Sequence, residues 1–149
     1  MAFYSNIDTA KKFRVGEVKK DYAGNSYLYA PGVASLAVGS WVTFGASYVP
    51  ALAVADAQGK VGVSMSANTS TTNWSWYCID GVVNALCLAS FDGTNGLGVF
   101  LTSTAGSVDD ADVSGDWVIG AIGLTDRDTT TGMSSFQLNK PFCIDGAID

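Results

Sequence analysis

The feature that most constrains this chain is its punctuation. Short runs of β-branched and aromatic residues are each stopped by a pair built around glycine: Gly24-Asn25, Pro31-Gly32, Asp80-Gly81, Asp92-Gly93, Asn95-Gly96 and Asp145-Gly146. Glycine and asparagine take positive φ at little cost, so such pairs between apolar runs favour tight turns and antiparallel hairpins. The runs at 14–19, 26–30, 40–44, 51–55, 62–65, 74–79, 83–91, 97–102, 116–124 and 134–144 are predicted strands, at the spacing of sandwiches and barrels. No window of about 11 residues keeps an apolar stripe at helical spacing without Gly, Pro or a β-branched run, leaving room for one helical turn at 34–38.

With 149 residues the chain fits one domain able to bury a core without a metal or disulfide staple. Residues 14–149 read as that all-β domain. Residues 1–13 lack alternation and turn pairs and end in basic residues, which predicts an extended N-terminal arm whose removal leaves the fold intact.

Charge is scarce: Asp, Glu, Lys and Arg make up 15% of the residues, against a usual ~25%. Surfaces destined for other chains are depleted in Lys, Glu and Asp, and a surface of Ser, Thr, Asn and Gly gives the same composition, so both readings stand. The net charge of −6 is uneven, +2 over residues 1–60 and −8 over residues 61–149. An acidic body repels phosphate, and Lys11, Lys12, Arg14, Lys19 and Lys20 lack interleaved aromatic platforms, which argues against nucleic-acid binding. The first residues show neither a basic nor an apolar signal-peptide region, and no stretch approaches roughly 18 apolar residues. Synthesis in the cytoplasm and no membrane span are the expectations.

Catalytic chemistry has little to work with. There is no histidine, which removes His-based triads, Cys-His dyads and His-ligated zinc. The single glutamate, Glu17, stands beside Lys19 and Lys20 as an ion-pair candidate. Cys78, Cys87 and Cys143 form no CxxC pair and are odd in number, so reduced, buried thiols are expected. No phosphate-binding glycine loop occurs; the glycines of 93–98 read as a hairpin loop. Asp110, Asp112, Ser114 and Gly115 match the first half of a calcium loop, but Ala121 stands where the bidentate Glu belongs, and the flanks are strands. An exposed acidic turn is the reading taken, with no cofactor and no metal site.

Two aromatic groupings suggest contacts. Gly39-Ser40-Trp41-Val42 and Gly115-Asp116-Trp117-Val118 each place a glycine just before a tryptophan entering a strand; Cys78-Ile79-Asp80-Gly81 likewise echoes Cys143-Ile144-Asp145-Gly146. Unmatched spacings make these strand markers instead of a duplication. Trp74, Trp76 and Tyr77 could stack on a sugar, yet strand alternation puts Trp74 and Trp76 on one face and Ser75 and Tyr77 on the other, which favours packing. A carbohydrate-binding, lectin-like module using those three residues is the alternative function.

The order Val15-Gly16-Glu17-Val18, Asn25-Ser26-Tyr27-Leu28-Tyr29, Pro31-Gly32-Val33-Ala34-Ser35 and Gly39-Ser40-Trp41-Val42-Thr43-Phe44 resembles the N-terminal part of capsid decoration (cement) proteins of tailed bacteriophages. The segment from Trp74 to Gly81 resembles that family's aromatic strand, and the segment from Thr104 to Asp116 its acidic turn before a late strand. The resemblance implies a single compact antiparallel β-barrel or β-tulip-like domain. It further implies a homotrimer on the outside of an icosahedral shell, a virion location, the major capsid protein as partner and no catalytic residues. Phe3, Tyr4, Lys11, Lys12, Arg14, Trp41 and Trp117 are the candidate capsid or subunit contacts.

Overall fold

In the strand Ser26–Pro31, Tyr27 and Tyr29 point to one side, Leu28 and Ala30 to the other, and all four are buried. A strand apolar on both alternation sets has to be covered on both faces, and that requirement sets the architecture. A computed structural model describes residues 3–93 and 98–144. The pairs Asn95-Gly96 and Asp145-Gly146 and the start of the strand expected at 97–102 lie outside the described residues.

Among the described residues the strands are β1 (Val18–Lys20), β2 (Ser26–Pro31), β3 (Trp41–Phe44), β4 (Pro50–Leu52), β5 (Gly59–Ser64), β6 (Trp74–Leu86), β7 (Gly98–Leu101), β8 (Val108–Asp109), β9 (Trp117–Gly123) and β10 (Met133–Cys143). They form one antiparallel sheet in the order β1-β2-β6-β5-β10-β9-β7-β8, with β3 paired to β5 and β4. The all-β antiparallel expectation is met. The barrel is not: the end strands β1 and β8 do not pair with each other, so the sheet stays open. The segment at 34–38 forms turns, and the helical pieces are short 3-10 turns at Phe3–Ser5 and Ala46–Tyr48.

Each face of the sheet carries a core. The larger gathers Tyr27, Tyr29, Trp41, Val61, Val63, Trp76, Cys78, Val99, Val118, Phe136 and Leu138. The smaller gathers Leu28, Ala30, Leu36, Val42, Phe44 and Tyr77 on the other side of β2, β3 and β6.

Asp80-Gly81 makes no hairpin. The strand runs through it as β6, with Gly81 at φ +104° beside a register shift between Ser26 and Tyr27. Glycine's positive φ serves there as a bulge, a use that sequence shares with turns. The bulge lets β6 pair with β2 and β5 before it and with β10 after it. Lys140, at φ +44°, accompanies a similar shift, across which β10 keeps β9 on one side and exchanges β6 for β5 on the other.

Residues 3–13 are not an extended arm. Tyr4 is buried, stacked on Tyr27 with centroids 4.1 Å apart, and edge-on to Trp76 at 5.4 Å. Its hydroxyl donates to the Lys20 carbonyl at 3.0 Å. Asp8 and Trp74 exchange backbone hydrogen bonds at 2.8 and 2.9 Å, and Phe13 packs on Tyr29 and Trp76. The segment that lack of alternation and terminal basic residues marked as an arm instead covers the chain's own larger core with Tyr4 and Phe13.

Candidate functional site

Two of the residues expected at a contact surface, Tyr4 and Trp41, are committed to the interior. Trp41 is fully buried, donates its indole N–H to the Leu86 carbonyl at 2.9 Å and meets Phe136 edge-on at 5.0 Å. Trp41 and Tyr4 therefore offer no surface to a partner. Phe3 is described in its backbone alone. Lys11, Lys12 and Arg14 are exposed, and Lys12 Nζ pairs with Asp8 Oδ1 at 3.2 Å.

The three aromatic residues of the lectin-like alternative divide between the two faces. Trp76 lies in the larger core and Tyr77 in the smaller, where its hydroxyl donates to the Pro31 carbonyl at 2.6 Å and burial pushes its pKa well up. Trp74 alone is partly exposed. No stacking platform results, and the alternative loses its residues.

The acidic turn also disperses. Asp109 is buried and accepts from the Ser90 hydroxyl at 2.9 Å; Asp110 accepts from the Asp92 N–H at 3.2 Å; Asp116 accepts from the Asp56 N–H at 2.7 Å; Asp112 is exposed. Each carboxylate that bonds does so to a different donor. No group of three His, Cys, Asp or Glu side chains among the described residues is placed to hold a metal.

Trp117 behaves differently from Trp41. It opens β9 on the outward set of side chains, is 41% exposed, and its indole N–H has no acceptor among the described residues. Val118 and Ala121 turn inward, leaving Ile119 and Ile122 beside Trp117 on the outer face. Register continues this face across the sheet, because Ile122 stands between Gly98 of β7 and Gln137 of β10, and Gln137 stands beside Val82 of β6. Phe142 pairs with Ile119 in the next row. Val82, Ile122 and Phe142 are all exposed. A hollow of about 440 Å³ is lined by Trp117, Ala121, Ile122, Gln137, Asn139 and two glycines, with no ionisable side chain among the described residues.

An uncharged patch of aromatic, aliphatic and amide groups has the composition of an interface centre, where charge is depleted and tryptophan enriched. Sequence inspection named Trp117 but missed Val82, Ile122 and Phe142. The available signal was that β9 is apolar on both alternation sets, as β2 is. In β2 the second set is covered; in β9 it is open.

Burial holds Tyr29 and the three cysteines neutral. Burial pushes the Tyr29 phenol up to about 12, with the adjacent Asp8 carboxylate adding to the effect. Burial likewise raises Cys78 and Cys143 to about 11 and raises Cys87. Groups so shifted are poor nucleophiles near neutral pH. No protein-family model, curated protein or solved structure matches this chain.

Proposed function

We propose that the chain is a non-catalytic virion structural protein, a capsid decoration protein that binds the outside of an icosahedral shell, with the major capsid protein as partner and a homotrimer as its working form. The outer face around Trp117 carries this reading. It sets an exposed tryptophan, whose indole N–H has no acceptor among the described residues, among Ile122, Val82 and Phe142 on a sheet with cores on both sides. A rigid, charge-poor face loses little conformational entropy on docking. A protein that binds only the assembled lattice stabilises it by mass action, in proportion to affinity and copy number.

The test uses capsids of the virus that encodes the chain, stripped of the protein and incubated with purified material. The expected result is stoichiometric occupancy by electron microscopy, a solution mass of three chains, and at least tenfold weaker binding by Trp117→Ser with an unchanged fold. Unchanged occupancy with Trp117→Ser, or no binding to particles, overturns the reading.

A further inference from the structure

The geometry points to a binding groove for a small anionic amphiphile, a medium-chain carboxylate, on the face of the smaller core. The groove encloses about 500 Å³, within the ~300–1,000 Å³ range of small-molecule sites. Its walls are Phe44, Tyr48, Ile79 and Phe142, and the cations among its lining residues are Lys60 and Lys140.

Charge selects the occupant. In a chain of net charge −6, the groove collects two of the eight basic residues, and no Asp or Glu among the described residues lines it. Neither ammonium makes an ion pair among the described residues; Lys60 Nζ sits 5.5 Å from the Tyr48 ring centroid. Glu17 lies between the lining residues Gly16 and Val18, but it pairs with Lys19 Nζ at 3.3 Å, and Lys19 lies over Phe13, which packs on the larger core of the opposite face. Glu17 is thus turned away from the groove. An apolar body against Phe44 and Phe142 with a carboxylate between two unpaired lysines satisfies both halves of the groove. A neutral lipid leaves the lysines unanswered, and a cation meets only repulsion.

Backbone strain marks the same place. Ser47, Tyr48 and Lys140 hold φ values of +56°, +59° and +44°, left-handed conformations that non-glycine residues rarely adopt. Tyr48 closes tightly over Gly16, where a Cβ would lie 2.5 Å from its ring. Tyr48 and Lys140, two lining residues, are thereby fixed in positions that relaxed backbone would not give them.

The probe is dodecanoate, titrated below its micelle concentration against the purified protein preloaded with anilinonaphthalene sulfonate, with dodecanol as the neutral control. The expected result is saturable displacement at one dodecanoate per chain, at least tenfold weaker binding of dodecanol, and at least a tenfold loss of dodecanoate affinity in K60Q/K140Q. Both substitutions are at exposed side chains, and circular dichroism checks the fold. Absence of saturable binding, equal affinity for dodecanol, or an unchanged K60Q/K140Q variant overturns the proposal. So does occlusion of the groove by a second copy, seen as an affinity that falls with rising protein concentration. Trp117→Ser leaves this binding intact, which separates its failure from that of the capsid reading.

Discussion

The Tyr29 hydroxyl donates to Asp8 Oδ2 at 2.7 Å, one of the bonds that fasten the N-terminal segment to the sheet. The same hydroxyl accepts from the Lys12 backbone N–H at 3.2 Å, and Asp8 takes Lys12 Nζ on its other oxygen. Asp8 is buried, so its carboxylate depends on these partners in place of water.

Tyr29→Phe removes the donor while keeping the ring in the core. The expected cost is about 1–3 kcal/mol, the penalty for leaving a buried acceptor unmet. Deleting residues 1–13 uncovers Tyr27 and Trp76 as well, and is expected to cost more than the point change. Urea unfolding followed by tryptophan fluorescence measures both; a deletion as stable as the full chain would restore the dispensable arm.

Gly81→Ala tests the bulge that lets β6 change partners. Gly81 has φ +104°, and an added Cβ would collide with Asn25 Oδ1, the atom that accepts from the Val82 N–H at 3.0 Å. Strain and a displaced hydrogen bond act together, for an expected loss of about 2–4 kcal/mol. Gly24→Ala is the control: its φ is also positive, at +88°, but nothing lies within 4 Å of the added Cβ, so the loss should be smaller. Equal losses in the two variants would show that the collision at Asn25 contributes nothing.

Cys78, Cys87 and Cys143 are buried and unpaired. With pKa values near 11, the thiols of Cys78 and Cys143 are ionised to roughly one part in a thousand at pH 8, and burial also blocks approach. Ellman's reagent is expected to find no fast-reacting thiol in the native protein and all three once guanidinium chloride unfolds it. A fast native thiol would mean that one of these sites opens locally.

Legibility followed the physics of each signal. Alternation and turn pairs announced the strands, because a period of two and a positive φ are written in residue type. Partner choice was not written there: Asp80-Gly81 looks the same whether the chain reverses or bulges, and only Asn25 and β10, distant in sequence, decide between them. Trp41 and Trp117 stand in near-identical tetrapeptides, yet one is fully buried and the other exposed. The difference is what lies across the sheet: Phe136 and the Leu86 carbonyl meet Trp41, whereas the Trp117 indole N–H has no acceptor among the described residues. Tyr4 was misjudged for a related reason, since a terminal aromatic is an anchor or a hook according to whether Tyr27 and Trp76 wait beneath it.

The Asp92–Asp126 pair makes stability depend on pH. Asp126 has its pKa raised, first by its hydrogen bond with Asp92 and then by burial and by that residue's charge. A raised folded-state value means that the native protein holds a proton that the unfolded chain releases. The stabilisation from that shared proton is therefore complete below the ordinary aspartate value of 3.8 and is lost as pH rises through the raised pKa. At neutral pH two exposed carboxylates are left facing each other. Asp126→Asn supplies a permanent amide donor in place of the proton, so its melting temperature should exceed the parent's at pH 7, with the difference shrinking towards zero near pH 3. Added salt should narrow the gap at pH 7, because exposed charges are screened. A variant that melts below the parent at pH 7 would mean that Asp126 is bound there by something other than a shared proton.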